Sequence, residues 1–397
     1  MKILKILIVL VFSIFMTGCW QYIELNDIAI VTAVGIDKEG KEYHLSVQIV
    51  NAKKQTKDYS AAEESLVTVY DAKGKTLGEA LNKISLESPF ELYFGHIDMV
   101  VIGEATARLG IREYIDFLIR DRDVRKNYSL VVAKEKKAFD VLQILTPLET
   151  LPTINLINII KTAQETSGYT SYRSFEDVLN CLYAKGKHPV VSVVEIIGDV
   201  EEGKKGDNIY ETIPKTRLIA KYVGVFKGDK LVGFLKDKAA LGLNILRKRV
   251  NNSVISFPCN DQDDYGSVKM DAPKVSFKTK LKNNQPSAEI KIEFTATLTD
   301  YNCAINLKKS ENIKKIEKMI DKEIKTIIEE TMKETQKTYK TDVLGFGEYL
   351  YQNDYKNWGK IEKKWDQLFS NMPYKIEVKS KINNTGSTTN PVRQGGT

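Results

Sequence analysis

The sequence predicts an α+β protein of more than one domain, built from mixed sheets with packed helices. Three observations carry that expectation. Strand-like and helix-like segments come in unequal groups rather than in a steady βαβ alternation. Between residues 198 and 208 the composition turns to Gly, Lys, Glu, Asp and Asn, with Val200 the only aliphatic side chain. A long amphipathic helix then stands out in the C-terminal half. The 397 residues suffice for two or three domains of ordinary size, and no internal repeat is visible.

The first element is the only strongly apolar run. Lys2 and Lys5 precede residues 6–15, apolar except Ser13, and Met16-Thr17-Gly18-Cys19 follow. A membrane-spanning helix needs roughly 20 residues, so this run suits a cleaved export signal instead. Small residues leading into a cysteine fit a lipoprotein signal peptide over residues 1–18. Cys19 is then expected to carry a thioether-linked diacylglyceryl group with palmitate-type chains, the two-chain anchor that holds a protein at a bilayer. An ordinary secretory signal with a chance cysteine is the competing reading. Met16 stands where Leu is commoner.

Beyond Cys19, residues 28–36 read as a buried strand, 38–41 as a turn, 43–50 as its antiparallel return and, after a polar loop, 65–70 as a third strand. So little chain separates Cys19 from the first strand that the folded body is expected close to the bilayer. Thr76 and Glu79 have capping-box spacing for a helix to about Leu86; Pro89 stops it, and 90–102 reads as strand. Residues 104–109 and 111–120 read as a helix broken at Gly110, 128–133 as strand and 136–145 as helix. Ile154, Ile157, Ile160 and Ala163 mark the next helix, Ser174 and Asp177 cap another to about Tyr183, and 189–197 is an apolar strand.

Residues 198–208 read as a linker or an exposed hairpin tip. Strands at 218–226 and 230–235 then flank a tight turn at Lys227-Gly228-Asp229, and 237–246 is helical. Two alternating strands, 274–282 and 288–297, enclose a turn at 283–286. Ile313, Ile316, Ile320, Ile324, Ile327 and Thr331 line one side of a helix over 312–338, which packs on the preceding sheet or, alternatively, on a coiled-coil partner. A helix around 358–369, a strand at 374–382 and a polar tail expected to be disordered complete the chain. The expected division is an N-terminal α+β domain over 19–198, a linker over 199–213, a C-terminal α+β domain over 214–383 that is divisible near 265, and a tail over 384–397.

The formal charge is +7, or +5 without Lys2 and Lys5, diluted by many acids. That is no nucleic-acid footprint, though it suits a protein tethered at an anionic membrane surface. Cys181, Cys259 and Cys303 are far apart, with no CxxC pair and no neighbouring His, which argues against a metal site. They read as buried single thiols or as one disulfide whose pair the spacing does not choose. His44, His96 and His188 are dispersed, and His96 reads as a hydrogen-bonded structural residue in a strand. No GxSxG, Walker loop or complete dinucleotide loop occurs; Gly345-Phe346-Gly347 reads as a tight entry into a helix. Trp358 and Trp365 read as core residues on one helix face. Arg120, Asp121, Arg122 and Arg125 form a charge cluster, either a solvated self-paired surface or a docking patch for an acidic partner. No catalytic residue and no cofactor is implied.

The chain resembles the Ger(x)C family, the C subunits of nutrient germinant receptors in endospore-forming bacteria. The likeness begins at Thr17-Gly18-Cys19-Trp20, with Glu24-Leu25-Asn26-Asp27 and Gly35-Ile36-Asp37 after it. It continues through Ile102-Gly103-Glu104-Ala105, Gly110-Ile111, Arg120-Asp121 with Arg125, Gly224-Val225-Phe226 and Leu231-Val232-Gly233. Asp342-Val343-Leu344-Gly345-Phe346-Gly347, Trp358 and Trp365 close it; Gln21 departs from the acid common after Cys-Trp in the family. The resemblance implies a non-enzymatic lipoprotein on the outer face of the inner spore membrane, beside two integral-membrane subunits, one permease-like. It also implies a multi-domain α+β body without catalytic residues. A solute-binding lipoprotein, with two α/β lobes around a cleft, is the alternative; which nutrient is sensed is not legible.

Overall fold

The computed structural model describes residues 27–50, 65–120, 124–259, 264–303 and 305–385. Residues 28–36 are almost wholly apolar, so they settle where both sheet faces are covered, as the centre of β1 (Ile28–Glu39). β2 (Glu42–Val50) returns antiparallel and β3 (Val67–Gly74) adds to its outer edge. The Thr76 hydroxyl caps α1 (Leu77–Ile84) by accepting the Glu79 N–H at 3.0 Å. The run over 90–102 is two strands, not one. β4 (Glu91–Tyr93) pairs with the start of β1 and β5 (Met99–Gly103) with its middle, so the chain steps out between them at Gly95-His96.

α2 (Glu104–Leu109) and α3 (Arg112–Arg120) break at Gly110, where φ is +131°. β6 (Ser129–Ala133) follows, then α4 (Ala138–Leu142), shorter than the 136–145 expectation because the Leu145 N–H bonds the Gly203 carbonyl at 2.9 Å instead. α5 (Pro152–Thr166), α6 (Phe175–Tyr183) and β7 (Val190–Ile197) complete a parallel core of β1, β5, β6 and β7.

Residues 198–208 are neither a free linker nor a hairpin tip. They form α7 (Val200–Gly203), capped by Asp199, and α8 (Asp207–Tyr210), and the buried Asn208 amide donates to the Leu145 and Thr216 carbonyls at 2.9 and 3.0 Å. Their polarity serves caps and local ion pairs. β8 (Arg217–Lys227) then pairs antiparallel with β7, and β9 (Lys230–Lys236) with β8 across the expected turn at Gly228-Asp229. The nine-stranded sheet thus runs β3-β2-β1-β5-β6-β7-β8-β9, with β4 beside β1. Strands encoded after residue 213 finish a sheet begun before residue 198, so the 199–213 segment joins neighbours within one sheet rather than two separate bodies. α1, α3 and α6 cover one face, and α4 and α5 the other.

α9 (Asp237–Leu246) leads into the second sheet: β10 (Ser253–Pro258), β11 (Tyr265–Lys282), β12 (Gln285–Tyr301) and, parallel to β12, the last strand. Asn283 and Asn284 both have positive φ, so two residues close the hairpin and β12 resumes at Gln285, tighter than the expected turn over 283–286. Cys259 and Cys303 are bonded to each other, with Cα atoms 5.4 Å apart, and Cys181 is a free thiol. The pair is brought together because β10 and β12 flank β11 and end beside one another.

α10 (Ser310–Lys333) lays Ile316, Ile320, Ile324, Ile327, Ile328 and Met332 into the core, and a π-turn (Glu334–Thr338) ends it. It packs on the sheet and on α9. α11 (Phe346–Asn353), α12 (Tyr355–Ile361) and α13 (Trp365–Ser370) follow as separate short helices, so 358–369 is not continuous. β13 (Tyr374–Asn384) closes the sheet. Its outward N–H groups are not left bare: Asp321 accepts from Ser380 at 2.7 Å and Glu317 from Ile382 at 3.0 Å.

α9 and α10 meet at Gly242, where a Cβ would lie 2.1 Å from Thr331 Oγ1 and 2.9 Å from the Ile327 carbonyl. Gly242→Ala is expected to destabilise by about 1–3 kcal/mol through overpacking, read by urea denaturation. Lys137 and Lys73, at 2.8 and 2.6 Å, hold the Glu39 carboxyl down to about 2. A depressed carboxyl stabilises fully above its unfolded value near 4.5 and loses that contribution as pH falls towards 2. Glu39→Gln should flatten acid unfolding in that window by up to about 1 kcal/mol, since the group is partly solvated.

Candidate functional site

Two buried carboxylates organise the molecule, and the residues around them are those that carry the sequence resemblance. Asp37, at the end of β1, accepts the Ala138 and Phe139 N–H groups at 2.9 and 3.1 Å and so caps α4 about a hundred residues away. Burial pushes its carboxyl up from the ordinary range, against those two N–H bonds. Gly103 must lack a side chain because a Cβ there would meet Asp37 Oδ1 at 2.1 Å. Gly35-Ile36-Asp37 and Ile102-Gly103 are therefore one constellation.

The second carboxylate, Asp342, is fully buried. Its Oδ1 accepts the Leu344 and Gly345 N–H groups at 3.0 and 2.7 Å; its Oδ2 accepts the Gly347 N–H at 2.8 Å and the Trp365 indole N–H at 3.2 Å. Burial pushes its carboxyl up, and the donated N–H groups oppose that. Gly345, at φ +92°, lets the chain wrap the carboxylate and enter α11. The expected tight turn is thus present, and its cause is the aspartate three residues before it.

This knot is also a seam between the two sheets. The Asp342 carbonyl accepts the His188 N–H at 2.9 Å, and the Gly186 carbonyl accepts the Glu348 N–H at 3.2 Å. Gly186 and Gly347 touch backbone to backbone, and a Cβ on Gly347 would lie 2.5 Å from the Trp365 indole nitrogen. Tyr339 crosses to β9, its hydroxyl donating to the Phe234 carbonyl at 2.7 Å and accepting the Phe234 N–H at 3.1 Å, over Gly233. Trp358 and Trp365 lie on different short helices, their ring centroids 5.4 Å apart, and are core residues.

Beside the seam opens a cleft of about 460 Å³ lined by the end of α6, the loop to β7 and helices α12 and α13. Its rim carries the ion pairs Lys185–Glu362 at 2.6 Å, Lys187–Glu348 at 2.7 Å and Lys227–Asp366 at 2.9 Å. Cys181, His188 and Asp366 all line it, the residue types of a thiol hydrolase. The geometry does not arm them: His188 Nε2 faces Asp366 at 3.2 Å and Nδ1 accepts the Gly228 N–H at 3.0 Å, so neither ring nitrogen is left to activate a thiol.

His44 is buried against Asp71 at 2.7 Å. His96 is an exposed turn residue against the Tyr93 ring rather than a hydrogen-bonded strand histidine. No His, Cys, Asp and Glu grouping suited to a metal occurs among the described residues. Arg120 is exposed and bound to Asp116 at 2.7 Å, and Arg125 is exposed; Asp121, Arg122 and Cys19 lie outside the described residues. Among those described, no helix is long and apolar enough to cross a membrane. The two sheets share a continuous seam, which is not the pair of lobes around a central cleft that a solute-binding lipoprotein requires.

Asp342→Ala is expected to orphan the three backbone donors and the Trp365 indole. Stability should fall by about 3 kcal/mol or more in denaturant titration, with a red shift of tryptophan emission.

Two family models match consecutive parts of the chain: "Spore germination protein N-terminal domain" over residues 21–196 and "Spore germination B3/ GerAC like, C-terminal" over 222–386. The chain is 29% identical over 399 residues to spore germination protein KC of Bacillus subtilis (strain 168), covering 99% of this chain and 98% of that one. It is 22% identical to spore germination protein B3 of the same organism, covering 93% and 94%. The crystal structure of the GerBC protein matches with a TM-score of 0.57 at 18% identity, covering 88% of this chain and 97% of that one, which shows a shared fold.

Proposed function

The chain belongs to the B3/GerAC-like spore germination family, with a role in spore germination, and from that membership we propose that it is the lipid-anchored, non-enzymatic subunit of a nutrient germinant receptor. The observation that carries the proposal is positional. The family match starts at residue 21, directly after Thr17-Gly18-Cys19, so everything before Cys19 lies outside the family body and has the make-up of an export signal. In this reading Cys19 bears a diacylglyceryl group and holds the body at the outer surface of the inner spore membrane, beside integral subunits, one of them permease-like.

Geometry supports it. Even fully extended, the chain from Cys19 reaches Ile28 within about 30 Å. The parallel strands β1, β5, β6 and β7 all start at that end of the sheet, so Arg125 and Lys187, just before β6 and β7, come to that end as well. The disulfide between Cys259 and Cys303 belongs to an oxidising compartment, in keeping with export. A tether raises the local concentration of the protein at its partners, so modest contacts suffice.

Cys19→Ala should shift the protein from the membrane to the soluble fraction, remove the diacylglyceryl mass from its N-terminal peptide and slow nutrient germination by about tenfold or more. Membrane retention with an unmodified sulfur, and a normal germination response, would overturn the proposal.

A further inference from the structure

The second sheet has one covered face and one open one. Inward, Phe277 of β11 meets Phe346 of α11 with ring centroids 5.0 Å apart, and α10 and α13 fill the rest of that core. Outward, the side chains that β11, β12 and β13 hold in register are all exposed or half-buried. The register fixes which residues share the open face. β11 presents Lys269, Lys274, Lys278, Lys280 and Lys282 with Asp271, and β12 presents Lys291 between Glu289 and Glu293. β13 adds Lys375, Lys379 and Lys381 with Glu377. That is nine lysines against four acids, a net charge of +5 where the whole chain carries +7.

Alternation between core and solvent requires only that such a face be polar, and interspersed charges of both signs meet that requirement. Here two ion pairs form, Lys280–Glu289 at 2.7 Å and Lys291–Glu377 at 3.3 Å. The other seven lysines have no ion pair among the described residues. Neighbouring strands lie about 4.8 Å apart, so the sheet holds adjacent charges well within a Debye length of each other. A negative surface laid against them relieves that repulsion along the whole face.

We propose that this open face rests on an anionic lipid bilayer. Its composition favours lipid over protein. Protein interfaces are depleted in Lys and Glu and depend on buried aromatic and Arg anchors. Within β11, β12 and β13 the outward residues in register with these lysines are Ser, Thr, Gln and Glu, none of them aromatic or aliphatic. A lysine ammonium is a hydrated point charge on a flexible stem, which suits a diffuse layer of phosphate headgroups. The inference rests on the anchored reading, since the tether is what brings the body to a bilayer. α11 stands between this sheet and the seam at Gly186, so the open face looks away from the first sheet. The seam itself lies just before β7, at the end of the first sheet where β1 also starts.

The test is co-sedimentation of the chain from Trp20 onward, which keeps both sheets and lacks the anchor, with vesicles. These are made of phosphatidylcholine alone or of an equal mixture with phosphatidylglycerol. Binding should require phosphatidylglycerol and weaken by about tenfold or more as salt rises from about 0.05 to 0.5 M. Lys278→Gln, Lys375→Gln, Lys379→Gln and Lys381→Gln together, all at exposed positions, should weaken it by about a hundredfold or more. The same charge removed across the sheet, by Lys314→Gln, Lys315→Gln, Lys318→Gln and Lys322→Gln on the exposed side of α10, should change it by no more than about twofold. Equal binding to both vesicles, a face variant that binds as the unaltered chain does, or equal loss in the two variants overturns the proposal. Absence of any vesicle binding also overturns it and leaves the face to an acidic protein. With no anchor in the chain tested, failure here is read separately from failure of the Cys19 test.

Discussion

A single buried carboxylate sets the terms for the C-terminal half. Asp342 has no access to water, so each of its lone pairs must find a donor inside the protein, and the chain supplies them by curling three backbone N–H groups and an indole around it. That requirement dictates a left-handed glycine at 345 and a bare backbone at 347. It also fixes where Trp365, and with it α13, can sit. Asp37 plays the same part in the other half, where its charge ties β1 to the start of α4. Both are long-range locks made from short-range chemistry.

The seam built on these locks gives the molecule its mechanical character. Backbone touches backbone at Gly186 and Gly347, Tyr339 bonds both polar groups of Phe234, and Gly242 lets two helices approach closely. Contacts of this kind have little slack, because any added methylene must displace main chain rather than a side-chain tip. The cleft beside them is walled by ion pairs, and its histidine is bound at both nitrogens.

Much of this was readable in the residues. The apolar run at 28–36, the Ser174 cap, the hairpin at Gly228 and the isoleucine stripe of α10 each produced the expected element, because local pattern and tertiary burial agree there. β10 passed unread: six residues alternating between core and solvent leave little signal. The first half of β11 was hidden by the irregularity between Asp271 and Lys274. Without that sheet order the Cys259–Cys303 pair could not be chosen. Residues 198–208 misled because capping acids and lysine pairs have the composition of a flexible linker. Gly345-Phe346-Gly347 was legible as a turn, whereas its reason, a carboxylate buried three residues upstream, depends on Trp365 and Gly186 arriving from elsewhere.

β8 and β9 belong by sequence to the second half and by hydrogen bonding to the first. A cut between the halves would therefore strip β7 of its antiparallel neighbour and bare a valine-rich edge. Exchanging a segment at this junction would keep the sheet intact only if both sides of the β7–β8 ladder were moved together.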